Sequence, residues 1–177
     1  MKHNIIIAGF GGQGALSAGM LLAQAALEEG KLSTWFPSYG AEMRGGTANS
    51  TVVISTEEIG LPIVLSITGL IALNALSLTK FSKSAVAGAT IVVNTSLIPK
   101  ESIVIDKTKN YFFVPATELA DKLGNVRVAN SVALGAFLKA SKALSLESAI
   151  KACPVLLESK KEFIEVNIKA LELGFSL

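Results

Sequence analysis

The chain has 177 residues, of which 50% are hydrophobic and 17% are charged, with a formal net charge of +2 at pH 7. Its 14 lysines and two arginines are scattered, so the sequence lacks the clustered basic face that a nucleic-acid-binding protein needs. The single cysteine, Cys153, and the single histidine, His3, exclude a Cys/His metal site or a cysteine-ligated iron–sulfur cluster built from this chain alone.

Short β-branched runs alternate with helical segments up to about residue 114, and the rest of the chain is helical. Strands are predicted at residues 4–8, 32–36, 47–55, 70–73, 90–94, 103–105 and 111–114. Helices are predicted at residues 15–29, from Asn74 or Ser77 to 81, at 117–123 and 128–144, from Ser145 onward, and at 159–173, the last ended by Gly174. This order predicts a single domain over residues 1–177, an α/β protein folded as a three-layer α/β/α sandwich with a mostly parallel, mixed sheet and a helical C-terminal part.

Residues 60–79 carry no charge and are long enough to mimic a membrane span. Pro62, Asn74 and several Ser, Thr and Gly residues interrupt the run, so it predicts a buried strand followed by a helix, and no membrane insertion. The N-terminus lacks a signal-peptide pattern, and nothing requires an oxidising compartment, so we expect a cytoplasmic protein.

A glycine-rich turn follows the first predicted strand. It contains Gly9, Gly11, Gly12, Gln13 and Gly14, which match the pattern G-x-G-x-x-G between a strand and a helix. Backbone N–H groups in such a turn can face an anion at the helix N-terminus. A dinucleotide site would also need an acidic residue at the end of the second strand, where this chain has WFPS at residues 35–38. The pattern leaves open an anion site, a nucleotide site and a tight turn without a ligand.

A second stretch, FPSYGAEMRGG at residues 36–46, has the composition of a surface loop with a binding role. Its candidate ligand-facing residues are Ser38, Tyr39, Arg44, Gly45 and Gly46. Arg44 is suited to hold a phosphate or carboxylate through two hydrogen bonds, or to pair with Glu42 or a partner subunit. Tyr39 is suited to stack on a ligand or to anchor an interface. The two loops predict one site at the carboxyl ends of neighbouring strands.

The remaining polar and small residues indicate structural roles and no catalytic role. Asn49 and Asn130 fit either a subunit boundary or a capping role. Small residues in the 128–144 helix, Gly135 among them, predict a close approach by another element. No potential nucleophile has a base near it in the sequence, and no two carboxylates have a spacing that predicts a catalytic acid/base pair. We therefore assign no catalytic and no metal-binding residue.

Three stretches resemble one known family: GFGGQG at 9–14, TWFPSYGAEMRGGTANSTVVIS at 34–55, and VPATELADKLGNVRVANSVALGAFL at 114–138. Together they resemble the γ subunit of 2-oxoacid:ferredoxin oxidoreductases, most of all the 2-oxoglutarate type, over nearly the whole chain. The resemblance places the family's glycine loop on Gly9, Gly11, Gly12, Gln13 and Gly14. It places the family's signature loop on Pro37, Ser38, Tyr39, Gly40, Glu42, Arg44, Gly45 and Gly46. The chain departs from the family at residues 63–69, where the acidic residues frequent in the family are absent.

The resemblance implies a multi-subunit enzyme that decarboxylates a 2-oxoacid on thiamine diphosphate with Mg²⁺. Electrons pass through iron–sulfur clusters to ferredoxin or flavodoxin, and an acyl-CoA is released. The thiamine lies between α and β subunits, and the clusters belong to other chains, such as a ferredoxin-like δ subunit. The γ subunit shapes the assembly and lines the path of coenzyme A, so the two loops are its expected coenzyme-A-facing residues.

The isolated γ chain is expected to be inactive, to bind no cofactor by itself and to be able to form a homodimer through an exposed apolar face. Three alternatives stay open. The chain could be a free-standing Rossmann-like nucleotide-binding module, a scaffold without ligand contact, or the γ subunit of a pyruvate, ketoisovalerate or indolepyruvate enzyme.

Overall fold

Six strands form one mixed sheet in the computed structural model, which describes residues 2–39, 47–60 and 64–177. The strands are β1 (Lys2–Phe10), β2 (Leu32–Tyr39), β3 (Thr47–Ser55), β4 (Ile67–Ala72), β5 (Ala85–Asn94) and β6 (Asn110–Val114). Their spatial order is β2-β3-β1-β4-β5-β6. Strand β3 is antiparallel to both of its neighbours, and the other neighbouring pairs are parallel. The sheet is therefore mostly parallel and mixed, as predicted.

Helices cover both faces of this sheet. They are α1 (Ala15–Glu28), α2 (Ala75–Phe81), α3 (Ala116–Lys122), α4 (Ala129–Ser141), α5 (Leu146–Leu156) and α6 (Ile164–Phe175). Helices α1 and α4 pack on one face, and α5 and α6 pack against them. Helix α2 and the segment that contains Ile98 and Ile103 cover the opposite face around β4 and β5. The predicted three-layer sandwich with a helical C-terminal part is confirmed.

Strand β1 lies at the centre because both of its faces are apolar. Ile5 and Ile7 point into the core under α1 and α4, whereas Ile6 and Ala8 point into the core on the α2 side. Burial of an isoleucine side chain contributes about 1.5–3 kcal/mol relative to exposure, so this strand anchors both cores. A strand buried on both faces loses the apolar and polar alternation, as the continuous run at residues 4–8 anticipated.

Helices α4 and α6 cross at two glycines. A Cβ atom on Gly135 would meet the carbonyl oxygen of Leu171, and a Cβ atom on Gly174 would meet that of Val132. The predicted close approach to the small residues of α4 is confirmed. The prediction that Gly174 ends the last helix is wrong, because α6 continues to Phe175 and needs this glycine for its contact with α4.

Two strand predictions are corrected. Residues 103–105 do not form a strand, because the edge of β5 that they would need is occupied by β6. Strand β2 extends to Tyr39, so the loop predicted to begin at Phe36 begins later. Residues 36–39 are held by antiparallel pairing with β3, and Pro37 is tolerated there because β2 is an edge strand.

The uncharged stretch contains a strand and a helix, as predicted. It forms β4 and then α2, whose cap is Asn74: the Asn74 Oδ1 atom accepts a hydrogen bond from the Ser77 N–H at 2.9 Å. Residues 61–63 lie outside the described residues. Among the helices described, none has the length and apolar character needed to cross a membrane.

A carboxylate joins the end of α1 to the start of α5. Glu29 Oε1 accepts hydrogen bonds from the Ser145 N–H at 2.7 Å and from the Ser148 hydroxyl at 3.0 Å. Glu29 Oε2 lies 2.7 Å from Lys31 Nζ. Burial raises the pKa of Glu29, but the hydrogen bonds from Lys31, Ser145 and Ser148 outweigh it and lower that pKa to about 2.

The low pKa of Glu29 should make the free energy of unfolding decrease as the pH falls. Because its pKa is lower in the folded chain than the ordinary value of 4.5, its contribution is present above about pH 5 and is lost as the pH falls toward 2. We expect Glu29→Gln to lower the free energy of unfolding at pH 7 by about 1–2 kcal/mol and to flatten this part of the pH profile, measured by urea denaturation. Glu28→Gln, which changes an exposed hydrogen bond with Gln24 and an attraction to Lys151, is the control; an equal effect of both variants would contradict the role of Glu29.

Candidate functional site

The carboxyl ends of β1 and β4 form the point at which the chain changes direction across the sheet. From β1 the chain runs through α1 to β2 and β3 on one side, whereas β4, β5 and β6 follow on the other side. Loops that leave neighbouring parallel strands in opposite directions open a crevice, which is where such folds bind ligands. The glycine-rich turn, residues 11–14, is one wall of this crevice.

The glycine-rich turn is shaped by positive backbone angles. Gly12 has φ of 95°, and no atom lies within 4 Å of the position of a Cβ atom there, so its backbone is open to a ligand. Gly14 has φ of 77° and precedes the first residue of α1. The Gly14 carbonyl accepts a hydrogen bond from Asn130 Nδ2 at 3.0 Å, which ties the turn to α4. Gly9 lies inside β1, with Leu73 packed closely against it.

Gln13 points its side chain back into the protein. Its Oε1 atom accepts hydrogen bonds from the Phe10 N–H at 2.6 Å and from Asn74 Nδ2 at 3.1 Å. Its Nε2 atom lies 3.5 Å from the Leu73 carbonyl oxygen. The side chain therefore holds the turn against the start of the loop after β4, and its neighbour Gly12 presents the backbone outward.

Removal of the Gln13 amide should loosen the turn. We expect Gln13→Ala to lower the free energy of unfolding by about 1–2 kcal/mol, because the Phe10 N–H and the Asn74 amide lose their acceptor. Gln13→Glu, whose carboxylate can accept the same two hydrogen bonds, should lose less. Urea denaturation followed by circular dichroism measures both, and equal losses in the two variants would contradict this role of the Oε1 atom.

A cavity of about 180 Å³ lies in the crevice beside the turn. Its polar lining comes from four elements: Gly12 and Gln13 in the turn, Asn94 at the end of β5, Thr117 in α3, and Arg127 just before α4. Leu73, Leu97, Val126 and Ala129 complete it. Asn94, Thr117 and Arg127 were not among the site residues predicted from the sequence. The signal for Arg127 was its rarity, since it is one of two arginines and lies within the 114–138 stretch.

The polar groups of this cavity are mostly donors. Asn94 Nδ2 donates to Thr117 Oγ1 at 2.9 Å, which leaves the Thr117 hydroxyl hydrogen available for an acceptor. Arg127 is exposed and forms no ion pair with any carboxylate in the described ranges. A guanidinium, a hydroxyl and an open glycine backbone suit an anionic oxygen such as that of a phosphate or carboxylate.

The second predicted loop is placed only in part. Ser38 and Tyr39 are the last residues of β2, and the Tyr39 side chain is 62% exposed. Arg44, Gly45 and Gly46 lie outside the described residues. The start of β3 pairs with both neighbours here, since Thr47 is opposite Phe10 and Ala48 is opposite Tyr39. Both loops thus leave the same end of the sheet.

The prediction that the two loops follow neighbouring strands is wrong. Strand β3 lies between β1 and β2, because the chain reverses after β2 and inserts β3 as an antiparallel strand. Two strand spacings, about 10 Å, therefore separate the backbones of β1 and β2. Ser38 and Tyr39 accordingly do not line the crevice cavity.

A larger cavity of about 600 Å³ lies near the amino ends of β5 and β6. It contains none of the predicted site residues. Its most buried cation, Lys109, donates to the Ser82 carbonyl at 2.8 Å and pairs with Asp106 at 3.0 Å. Because this cation is committed to contacts within the fold, we regard the crevice cavity as the candidate site.

The sequence of residues 4–177 matches the family described as pyruvate ferredoxin/flavodoxin oxidoreductase. The chain belongs to this family. The resemblance stated from the three sequence stretches is thereby confirmed. The chain is 37% identical to the 2-oxoglutarate synthase subunit KorC of Methanothermobacter marburgensis, and the match covers 100% of this chain and 97% of KorC.

Two further members of the pyruvate ferredoxin/flavodoxin oxidoreductase family help to place the chain. The ketoisovalerate oxidoreductase subunit VorA of Methanothermobacter thermautotrophicus is 40% identical over 95% of this chain, but the chain spans only 35% of that subunit's length. The solved γ subunit of a keto/oxoacid ferredoxin oxidoreductase from Geobacter sulfurreducens is 32% identical, with a TM-score of 0.82 and coverage of 98% of this chain and 96% of the other. The fold described above is thus that of a γ subunit.

Potential metal ligands are dispersed in the described part of the chain. No group of three or more His, Cys, Asp or Glu side chains lies together in the described part of the chain. Cys153 is fully buried in α5, and burial raises its pKa to about 11, so its thiol stays protonated and packs as an apolar group. The donor set of the crevice fits an anionic ligand, whereas one buried thiol does not fit an iron–sulfur cluster.

Proposed function

We propose that this chain is the γ subunit of a 2-oxoglutarate:ferredoxin oxidoreductase. The match to KorC supports this choice of substrate, because it extends over the full length of both chains. VorA is slightly more identical, but this chain corresponds to only 35% of it. The enzyme would convert 2-oxoglutarate and coenzyme A to succinyl-CoA and CO₂ while it reduces ferredoxin.

The assembled enzyme would use thiamine diphosphate with Mg²⁺, iron–sulfur clusters and coenzyme A. The α and β subunits would hold the thiamine, and a ferredoxin-like δ subunit or another chain would hold clusters. This chain would bind and orient coenzyme A as it approaches the reaction centre. Positioning alone can supply a large part of a rate enhancement, so a subunit without catalytic side chains can still affect turnover.

Coenzyme A fits the crevice through its phosphates. Arg127, the Thr117 hydroxyl and the Gly12 backbone offer donors to phosphate oxygens, and Leu97 and Val126 offer apolar contact beside them. A cavity of about 180 Å³ takes only part of so large a ligand, since drug-sized ligands fill about 300–1,000 Å³. The rest of coenzyme A would lie against partner subunits and the second loop, which carries Ser38, Tyr39, Arg44, Gly45 and Gly46.

A nucleotide-binding module that acts alone is the second candidate. The glycine-rich turn favours it, since Gly12 and Gly14 have the positive φ angles of phosphate-binding turns and no atom lies within 4 Å of the position of a Cβ atom on Gly12. Strand β2 ends in Ser38 and Tyr39 without a carboxylate to hold ribose hydroxyls, which argues against NAD. Saturable binding of NAD or ATP by the isolated chain would favour this candidate.

The test is purification of this chain from its native cells under gentle conditions. The eluate is assayed for coenzyme-A-dependent reduction of a viologen dye with 2-oxoglutarate, pyruvate, 2-oxoisovalerate and indolepyruvate in turn. We expect co-purification of thiamine-binding and iron–sulfur subunits, with activity on 2-oxoglutarate. Activity on only one of the other 2-oxoacids would show that the proposed substrate, 2-oxoglutarate, is wrong. Elution of the chain without partner subunits would contradict the proposed function.

A further inference from the structure

The outer edge of β6 carries backbone groups without partners. Strand β6 is the last strand of the sheet and pairs with β5 alone. The Thr95 N–H donates to the Val114 carbonyl at 2.9 Å, so the backbone groups of Val114 face β5. Because successive residues of a strand direct these groups to opposite sides, the N–H and C=O groups of Tyr111 and Phe113 face away from β5. Within residues 2–39, 47–60 and 64–177, no backbone hydrogen bond satisfies them.

The side chains on this edge are aromatic. Exposed edge strands usually carry charges or proline, which prevent pairing with other chains. Strand β6 instead has Phe112 and Phe113, which are 39% and 37% exposed. Because successive side chains of a strand point to opposite faces, the two rings lie on different sides of the sheet, and Phe113 shares its side with Tyr111. A cavity of about 350 Å³ lies on the Phe112 side, against the α4–α6 pair, where Ala136, Ala140 and Gly174 leave space. The cavity is large enough for an apolar side chain from another chain.

Two lysines border the edge. Lys100 Nζ lies 5.5 Å from the centroid of the Phe113 ring, and Lys139 Nζ lies 5.5 Å from that of Phe175 and lines the cavity. Both lysines are exposed, and neither forms an ion pair with a described carboxylate. Two copies of this chain paired through β6 would bring four like charges to one seam, which is unfavourable. The edge therefore suits an acidic partner better than a second copy.

We propose that β6 is the docking edge for an extended, acidic segment of a partner subunit that also carries an apolar side chain. The segment adds a strand beside β6 through hydrogen bonds to Tyr111 and Phe113. It inserts an apolar side chain into the 350 Å³ cavity and places one carboxylate near Lys139, on the same side of the sheet. Another carboxylate lies near Lys100 on the opposite side, beside the Phe113 ring. This inference rests on the assembly proposed above and adds the contact surface and the chemistry of the partner.

Hydrogen exchange measured by mass spectrometry, on the assembled enzyme from native cells and on the isolated chain, tests the docking edge. We expect the Tyr111 and Phe113 amides to exchange at least about 10-fold more slowly in the assembly, because each gains a carbonyl acceptor. A photoreactive phenylalanine analogue at position 113 should cross-link to an extended, acidic segment of a partner subunit.

A charge-reversal variant tests the chemistry of the partner. Lys100→Glu combined with Lys139→Glu should weaken association at least about 10-fold and remove most of its dependence on salt. The combination of Lys122→Glu with Lys160→Glu makes the same change in net charge away from the edge and should have little effect.

Several outcomes would overturn the inference. Unchanged exchange of Tyr111 and Phe113 on assembly would show that β6 stays open. Protection that appears in the isolated chain as its concentration rises would identify a second copy as the occupant. A cross-link to a helix or to a basic segment would reject the stated chemistry. Purification of the chain without any partner would instead defeat the proposed function, and this inference with it.

Discussion

Arg127→Ala should raise the KM for coenzyme A of the assembled enzyme by about 10- to 100-fold, with a smaller change in kcat. The variant removes a charge-assisted hydrogen bond to a phosphate, a contact worth about 1.5–3 kcal/mol. Since Arg127 is exposed and lies at the edge of the crevice cavity, its loss should leave the fold intact. Steady-state kinetics with coenzyme A varied at saturating 2-oxoacid measures the effect.

Control variants distinguish the effect of the Arg127 guanidinium from the effect of removing any positive charge near the cavity. Lys122→Ala removes a nearby exposed cation that does not line the cavity, and it should leave the KM for coenzyme A unchanged. Arg127→Lys keeps the charge but not the two-point geometry, so it should retain part of the affinity. Arg44→Ala is expected to raise the same KM. An unchanged KM for Arg127→Ala would remove this residue from the site.

Gly135→Ala should destabilise the folded chain by about 2 kcal/mol or more. Alanine gains up to about 1 kcal/mol over glycine in a helix interior, but here its Cβ atom would collide with the Leu171 carbonyl oxygen of α6. Because that oxygen belongs to a helix backbone, the two helices must move apart, and overpacking of this kind typically costs 1–3 kcal/mol or more. For a chain of this size, we expect this loss of stability to lower the Tm of the Gly135→Ala variant by about 4–8 °C.

Gly174→Ala should act in the same way against the Val132 carbonyl oxygen. The two substitutions together should cost less than the sum of the single ones, since the first already separates the same helix pair. Gly60→Ala is the control, because no atom lies within 4 Å of the position of its Cβ atom. Thermal unfolding measures all four variants, and stabilisation by Gly135→Ala would contradict the close crossing of α4 and α6.

Features set by neighbouring residues could be predicted from the sequence. The β-branched run of β1, the Asn74 and Ser145 caps, and the glycine turn before α1 follow from a few adjacent side chains, and all were anticipated. The small residues of α4 likewise predicted a close helix contact. In each of these cases, the local chemistry of the chain leaves few alternatives.

Features set by distant residues could not be predicted. Gly12 and Arg127 meet in one cavity because α4 packs on the sheet beside the glycine turn, a contact that no local pattern encodes. The position of β3 between β1 and β2 depends on long-range strand pairing, which the sequence of β3 alone does not specify. Gly174 was predicted to end a helix because glycine often does so. Its actual role, close contact with the Val132 carbonyl oxygen, depends on a residue far away in the sequence.

The central claim is that this chain faces coenzyme A through the crevice beside Gly12. The most direct measurement is photolabelling of the assembled enzyme with a photoreactive coenzyme A analogue, followed by mapping of the labelled peptides. We expect label on this chain in the peptides that contain Leu97, Thr117 or Arg127, and loss of that label when excess coenzyme A competes. Label confined to the other subunits, or label here that coenzyme A does not displace, would contradict the account.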